Sequence, residues 1–538
     1  MDGAYWKTVQ VFFDHSDESS EASVFKPSGG AGSSVSLFIA AKIASANQDI
    51  RQGEVFSRLE RLQASDLIEL PCRQRIPLFT LLLFSSQHRS CLPHLNQGLN
   101  VTTPTHKTSL RRAITGPMLF LFILGDVLGA GVYALAGTIA GEVGGAIWVP
   151  LLVALFFAML TAGSYAELVT KYPHAGAASV FAEKAFKSPL VSFLVGFCML
   201  AAAVTSAAGL SLAFAGDYLK AFVDVSPHIA ALVFLLAIGI LNARGIKESL
   251  GANLVMTVIE LSGLILVIVA AGWFFRTGEA DLGRTLSFKP GISPMLAVLG
   301  AALLAFYSFV GFETSANLAE EIKDVRKVYP RALFAALLTA GIVYMAVGVA
   351  ASSVLSTERL LATSAPLLEV VRVSTLNIPP ALFSFIALIA VANGALLTMI
   401  MASRLTYGMA NLGLLPSVLG NVLPKRQTPW AAIIATTLVA IALTLTGTLA
   451  TLAQTVVLLL LFVFLSTNVA VLVLRRDIVE EGHFRVPTFV PVLAVVSCLV
   501  LLSQQGWETW LRAGALIVVG VLLHGCSRIN LSAISKPG

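Results

Sequence analysis

The chain has 538 residues, of which 56% are hydrophobic and only 12% charged, with a mean hydropathy of +0.83. Soluble domains average about 25% charged residues, so this composition excludes an ordinary globular protein and implies a polytopic membrane protein. The net charge of +6 is too small to point to nucleic acid, and the five cysteines have no metal-ligand spacing. No cofactor is implied.

In chain order, residues 1–108 stand apart. Residues 1–20 are polar and acidic, unlike a cleavable signal peptide. Residues 28–34 read as a flexible link, and 35–44 and 50–70 as short amphipathic helices. Residues 77–84 are apolar but too short to span. This stretch is expected to be a poorly ordered cytoplasmic appendage.

From Arg111 onward, about twelve apolar segments of spanning length alternate with short polar loops. They begin near Gly116, Ala146, Pro189, Ile229, Gly251, Met295, Ala332, Ala381, Trp430, Leu449, Phe489 and Trp510. With the amino terminus inside, the inner segments carry roughly two to three times the Lys and Arg of the outer loops. Both termini are therefore expected in the cytoplasm, with the chain in the cell membrane.

The first span carries L-G-D-V-L-G-A-G-V-Y-A-L-A at 124–136, with Gly125, Gly129 and Gly131 near its middle. Two readings stand open. Gly125 and Gly129 have the spacing of a close helix–helix contact. Alternatively the helix is broken, which lipid tolerates only where backbone lines a cavity or is buried in protein. The sixth span, 300–321, places Ser308, Gly311 and Glu313 near its middle. An acid at that depth must face a cavity or find a partner, and a structural bond to a neighbouring helix is the plainer alternative. Interrupted helices at corresponding positions of two five-span halves indicate inverted repeats, with a substrate site at their interface. The expected architecture is all-α: a core at 109–475 of two inverted five-helix repeats with discontinuous helices 1 and 6, then helices 11–12 and a short tail at 476–538.

Four stretches, in order, carry a family resemblance: G-D-V-L-G-A-G-V-Y at 125–133; 165–181; F-Y-S-F-V-G-F-E with E-E-I-K-D-V-R-K-V-Y-P-R in 306–331; and A-S-R-L-T-Y-G-M-A-N-L-G-L-L-P at 402–416. Together they resemble the amino acid–polyamine–organocation (APC) permeases over about residues 112–524. Val325 departs from the proline frequent in the family's acidic loop. The first hundred residues have no counterpart in the family core.

A zwitterionic amino acid needs N–H donors and a positive helix end for its carboxylate, and carbonyl oxygens for its ammonium. The outer half-helix starting near Gly129, Ala130 and Gly131 is the candidate for the first. Unwound backbone at Val127, Leu128, Tyr307, Ser308, Phe309 and Val310 is the candidate for the second. The resemblance implies the same assignment and makes Tyr307 a gate, although a plain packing role remains open. Some proton-coupled relatives carry a lysine in the fifth span; residues 250–275 have none, and Glu260 instead. Glu260 and Glu313 are the candidate proton carriers, with Glu260 equally open as a bundle strut. Sodium would need oxygen ligands, for which Asn393 and Thr398 are contributors without a diagnostic pair. Glu320, Glu321, Lys323, Arg326 and Arg404 form a candidate inner gating network, or a solvated loop.

Substrate side chain and driving ion stay open between cationic and neutral amino acids, with a slight tilt to neutral or broad substrates because no acid lies at the expected side-chain end. Exchange and sodium symport are alternatives to proton coupling, and a sensor on a transporter scaffold is the alternative from another class. An enzyme is disfavoured because no nucleophile–base or metal-ligand motif is present. A channel is disfavoured by the lack of charged rings or repeated filter loops.

Overall fold

The structure, a computed structural model, describes residues 114–534 apart from 175–176, 245–248, 375, 412–413, 424–425, 427 and 480. The chain divides into two units, Met1–Lys107 and Thr108–Gly538. Every described residue is in the second. The expected appendage at 1–108, Arg111, Arg112, Lys247 and Lys425 lie outside the described residues.

Among the described residues the chain is helical, and the only β pairings are isolated bridges, Ile114 with Ile322 and Gly144 with Phe288. Lipid enforces this economy, because a helix satisfies its own backbone where no water is available. We number the long helices α1 (Gly116–Val143), α2 (Trp148–Lys171), α3 (Pro189–Phe214), α4 (Pro227–Arg244), α5 (Ser249–Phe274), α6 (Pro294–Tyr307), α7 (Val325–Val354), α8 (Pro380–Asn411), α9 (Trp430–Leu443), α10 (Leu449–Leu474), α11 (Phe489–Ser503) and α12 (Trp507–Ile534). Proline stands in the first turn of α1, α3 and α6, where its missing N–H costs nothing. Ser293 caps α6 and a Thr448–Thr451 capping box opens α10.

Among the described residues eight helices are by themselves long and apolar enough to cross a membrane, or up to ten spans if each of two bent pairs counts once. The bent pairs are the halves of α1, at 41°, and α11 with α12, at 111°. Helix α9 has 14 residues, shorter than the roughly 20 a span typically needs. The sequence expectation of twelve thus counts α9 and separates α11 from α12.

Burial sorts the helices. The apolar stretch of α6 is 72% buried and that of α4 only 39%. On α4, Ile229, Val233 and Ile240 are exposed, as residues facing hydrocarbon are. Helix α1 packs against α5, α6, α7 and α8, and α6 against α1, α2 and α10. The two glycine-interrupted helices therefore lie at the centre of the bundle.

Candidate functional site

Helix α1 loses helical geometry at Gly129 (φ 8°, ψ −167°). Helix α6 stops at Tyr307, turns through Gly311 at φ +124°, and resumes as a 3-10 segment over Phe312–Glu321. Positive φ is strained for any side chain with a Cβ, so Gly311 is required by conformation. It is also required by space, since a Cβ there would sit 2.7 Å from the Asp126 carbonyl oxygen.

The two sequence readings of the α1 glycines divide between residues. A Cβ at Gly131 would approach the Ser308 Cα to 2.8 Å, and one at Gly125 would crowd Asn253 and Thr257 of α5. These two permit close helix contact. A Cβ at Gly129 would meet nothing within 4 Å. Gly129 marks the break and faces open space.

That space is a cavity of about 70 Å³ between the two breaks. A water needs about 10–15 Å³ by the same measure, so there is room for several waters or one small solute. Of the residues expected at a site, Val127, Gly129, Gly131, Tyr307, Ser308, Val310 and Glu313 line it. Leu128 and Phe309 are fully buried behind it, and the side chain of Ala130 is outside the described set. Tyr307 Oη lies 3.1 Å from Ser206 Oγ of α3. Ser308 is buried and its hydroxyl has no partner among the described residues.

Sequence reasoning missed Tyr344 of α7. Its hydroxyl reaches the carbonyl oxygens of Val127 at 2.7 Å, Leu128 at 2.9 Å and Ser308 at 3.1 Å. One hydroxyl carries one proton and each carbonyl two lone pairs, so acceptor capacity remains beside the break. Phe309 packs edge-on against the Tyr344 ring at 5.3 Å, which holds the phenol in place. Nothing in the local sequence distinguishes this tyrosine.

Three acids lie at depth. Glu313 accepts a hydrogen bond from Gly311 N–H at 2.9 Å. Asp126 accepts one from the Thr314 hydroxyl, which also lies 2.8 Å from the Gly311 carbonyl. Asp126 was passed over within its motif, although the rule that singled out Glu313 applies equally to it. Glu260 on α5 is fully buried and does not line the cavity. Tyr133 donates to its backbone carbonyl at 2.6 Å, its carboxyl oxygens have no hydrogen bond among the described residues, and the Asn393 amide lies beside it. Asn393 donates to Asn253 Oδ1 at 3.0 Å, and Thr398, which lines the cavity, donates to the Gly394 carbonyl at 2.7 Å.

At the end of α6, Ile114 N–H donates to the Glu321 carbonyl and Lys323 N–H to that of Ile114, each at 3.0 Å. This ties the start of α1 to the loop after α6. The expected gating charges meet these partners among the described residues. Glu320 approaches His174 Nδ1 at 3.5 Å, Arg326 pairs with Glu481, and Arg404 feels Glu321 without an ion pair to it among the described residues.

A second polar centre, also unforeseen, lies where α2 and α10 end. Arg475 grips Glu167 with two hydrogen bonds, of 3.0 and 2.8 Å, and donates to Val486 O and Thr488 Oγ1 at 2.7 Å each. Val486 N–H donates back to Glu167 at 3.0 Å. Lys171 Nζ donates to the carbonyls of Leu474 and Asp477 at 2.6 Å. Tyr172 donates to the Asp477 carboxylate; burial, then that bond, hold its phenol above the ordinary range.

Interrupted helices that meet at a cavity holding two carboxyl groups characterise a multi-pass membrane protein. The family model for amino acid permeases matches residues 114–529, and the chain belongs to that family, within the APC superfamily. It is similar to the branched-chain amino acid permease BcaP of Bacillus subtilis (strain 168), 25% identical over 79% of this chain and 94% of that protein. It resembles the methylthioribose transporter of the same organism at 26%, over 77% and 93%. It also resembles the vacuolar cationic amino acid transporter 2 of Arabidopsis thaliana at 30%, over 69% and 61%. These relatives are transporters rather than enzymes.

Proposed function

We propose that this chain is a secondary active transporter that moves amino acids across the cell membrane by alternating access, driven by protons. One observation carries the reading: the cavity sits where the second half of α1 begins, beside carbonyls that a single tyrosine proton leaves partly free. The substrate carboxylate binds the N–H groups at the helix start near Gly131, where the helix dipole favours negative charge. Its ammonium binds the carbonyls of Val127, Leu128 and Ser308. Tyr307, linked to Ser206, is the gate. Relatives named for branched-chain and for cationic amino acids support the substrate type.

Helices α1–α5 and α6–α10 form inverted repeats in this reading, with both termini cytoplasmic and α11–α12 outside the core. Residues 1–108 are an appendage that transport does not need. Glu313, at the cavity, and Glu260, behind it, carry the coupling proton. Glu320, Glu321 and Arg404 line the inner exit. Exchange and sodium symport remain the rival couplings, and a sensor would bind without flux.

The test is uptake of radiolabelled amino acids into proteoliposomes with and without an imposed proton gradient. The reading expects gradient-driven accumulation, flattened in pH dependence by Glu313→Gln more than by Glu260→Gln. Binding without flux supports the sensor. An unchanged pH profile in both variants rejects proton coupling through these acids. An amino alcohol competing as well as its amino acid rejects the helix-end role.

A further inference from the structure

The cavity contains two carboxyl groups and no Lys, Arg or His among its described lining residues. The other walls are largely apolar, with Met199, Leu210, Met401, Leu405, Val456 and Leu460 facing in. A carboxylate in such a setting must be neutral, wetted or paired. Glu313 is turned back onto its own backbone by the Gly311 N–H. Asp126 is held at one oxygen by Thr314, whose single proton it shares with the Gly311 carbonyl, and it is half-buried, open to the cavity. Ser308 adds an independent sign of a missing partner. It lines the same cavity, is 1% exposed, and its hydroxyl bonds to nothing among the described residues.

We propose that Asp126 forms a subsite for a positively charged side chain in the cavity that Ser308 also lines, so that the transported amino acid bears an ammonium or guanidinium group. This rests on the reading in which the substrate carboxylate sits at the helix start near Gly131. Asp126 precedes Gly131 by five residues, on the other side of the break at Gly129, and both line the cavity. A four-carbon side chain reaches across that interval, and an alanine or serine side chain does not. The long stem passes the apolar wall and the charged end meets the carboxylate, as amphipathic side chains do elsewhere in proteins. The neutral substrates favoured by sequence leave Asp126 unpaired; a basic one pairs it.

The experiment is binding of radiolabelled L-lysine to the purified full-length protein, competed by L-norleucine, which lacks the terminal ammonium, and by cadaverine, which lacks the carboxylate. Lysine should bind about tenfold or more tighter than norleucine, the size expected of a charge-assisted contact. Asp126→Asn should bring that ratio near one while norleucine binding persists. Norleucine binding the unmodified protein as tightly as lysine overturns the subsite and leaves the amino acid reading standing. So does an undiminished lysine preference in Asp126→Asn. Cadaverine matching lysine, with dependence on Asp126, overturns the carboxylate site while the subsite stands. No binding of either amino acid overturns both. If Asp126→Asn does not fold, the lysine-to-norleucine ratio of the unmodified protein decides.

Discussion

Two of the places where this bundle holds acids, the Glu167–Arg475 centre and the cavity, treat them oppositely. At the clamp that Arg475 makes on Glu167, Glu167 is 3% exposed at its side chain and Arg475 11%, and between them the carboxylate and guanidinium find two mutual bonds plus Val486 and Thr488. At the cavity, Asp126 and Glu313 both bond to the turn around Gly311, and among the described residues no cation lines the space and the Ser308 hydroxyl has no partner. A closed network of charges holds a structure in one arrangement, because breaking it strands a buried charge. An incomplete one reserves its remaining bonds for something that comes and goes. The Glu167–Arg475 centre is therefore architecture, tying α2 to the α10–α11 loop, and the cavity is where we propose that a solute binds.

The largest expected effect falls on the clamp. Arg475→Ala leaves Glu167 without its cation and should cost about 3–5 kcal/mol of stability, read as a lowered unfolding temperature in detergent. Amino acid affinity of the folded fraction should be unchanged; an affinity loss on the scale of the stability loss would merge the two regions into one. Next comes Gly131→Val. The added carbons meet the Ser308 backbone, so binding should fall by about a hundredfold or more, near 2.7 kcal/mol, while the protein still inserts. Gly129→Ala, with open space at its Cβ, should fold normally and weaken binding less, since its methyl only narrows the cavity. Equal effects at both glycines would show that the close approach to α6 is not what matters.

Tyr344→Phe should be milder. Losing one hydroxyl among three carbonyls should cost about 1 kcal/mol, seen as a severalfold weaker Kd by equilibrium binding. The smallest effect belongs to an exposed pair offered as a contrast to Glu167–Arg475. Glu508 and Arg512 lie 3.5 Å apart with Glu508 83% exposed, and Glu508→Gln should change stability by no more than about 0.5 kcal/mol. A thermal shift comparable to that of Arg475→Ala would mean that burial is not what separates the clamp from ordinary surface pairs.

The sequence by itself determined the membrane class, and it pointed to interruptions near Gly129 and Gly311 and to a buried acid at Glu313, because each is written locally. Apolar runs, glycines in a span and an acid at depth are costs that any neighbourhood must answer. It also carried the four motifs that place the chain among amino acid permeases. The count of spans was less legible, because a 14-residue α9 and a sharp bend between α11 and α12 depend on how helices lean against neighbours, which hydropathy does not record. Only the tertiary structure decided which glycine packs and which opens the cavity. It alone joined Tyr344 to carbonyls more than two hundred residues away, Asp126 to Thr314 across 188, and Glu167 to Arg475 across 308. A hydrogen bond has no signature in a segment when its partner comes from a distant one, so these contacts appear only once the bundle has closed.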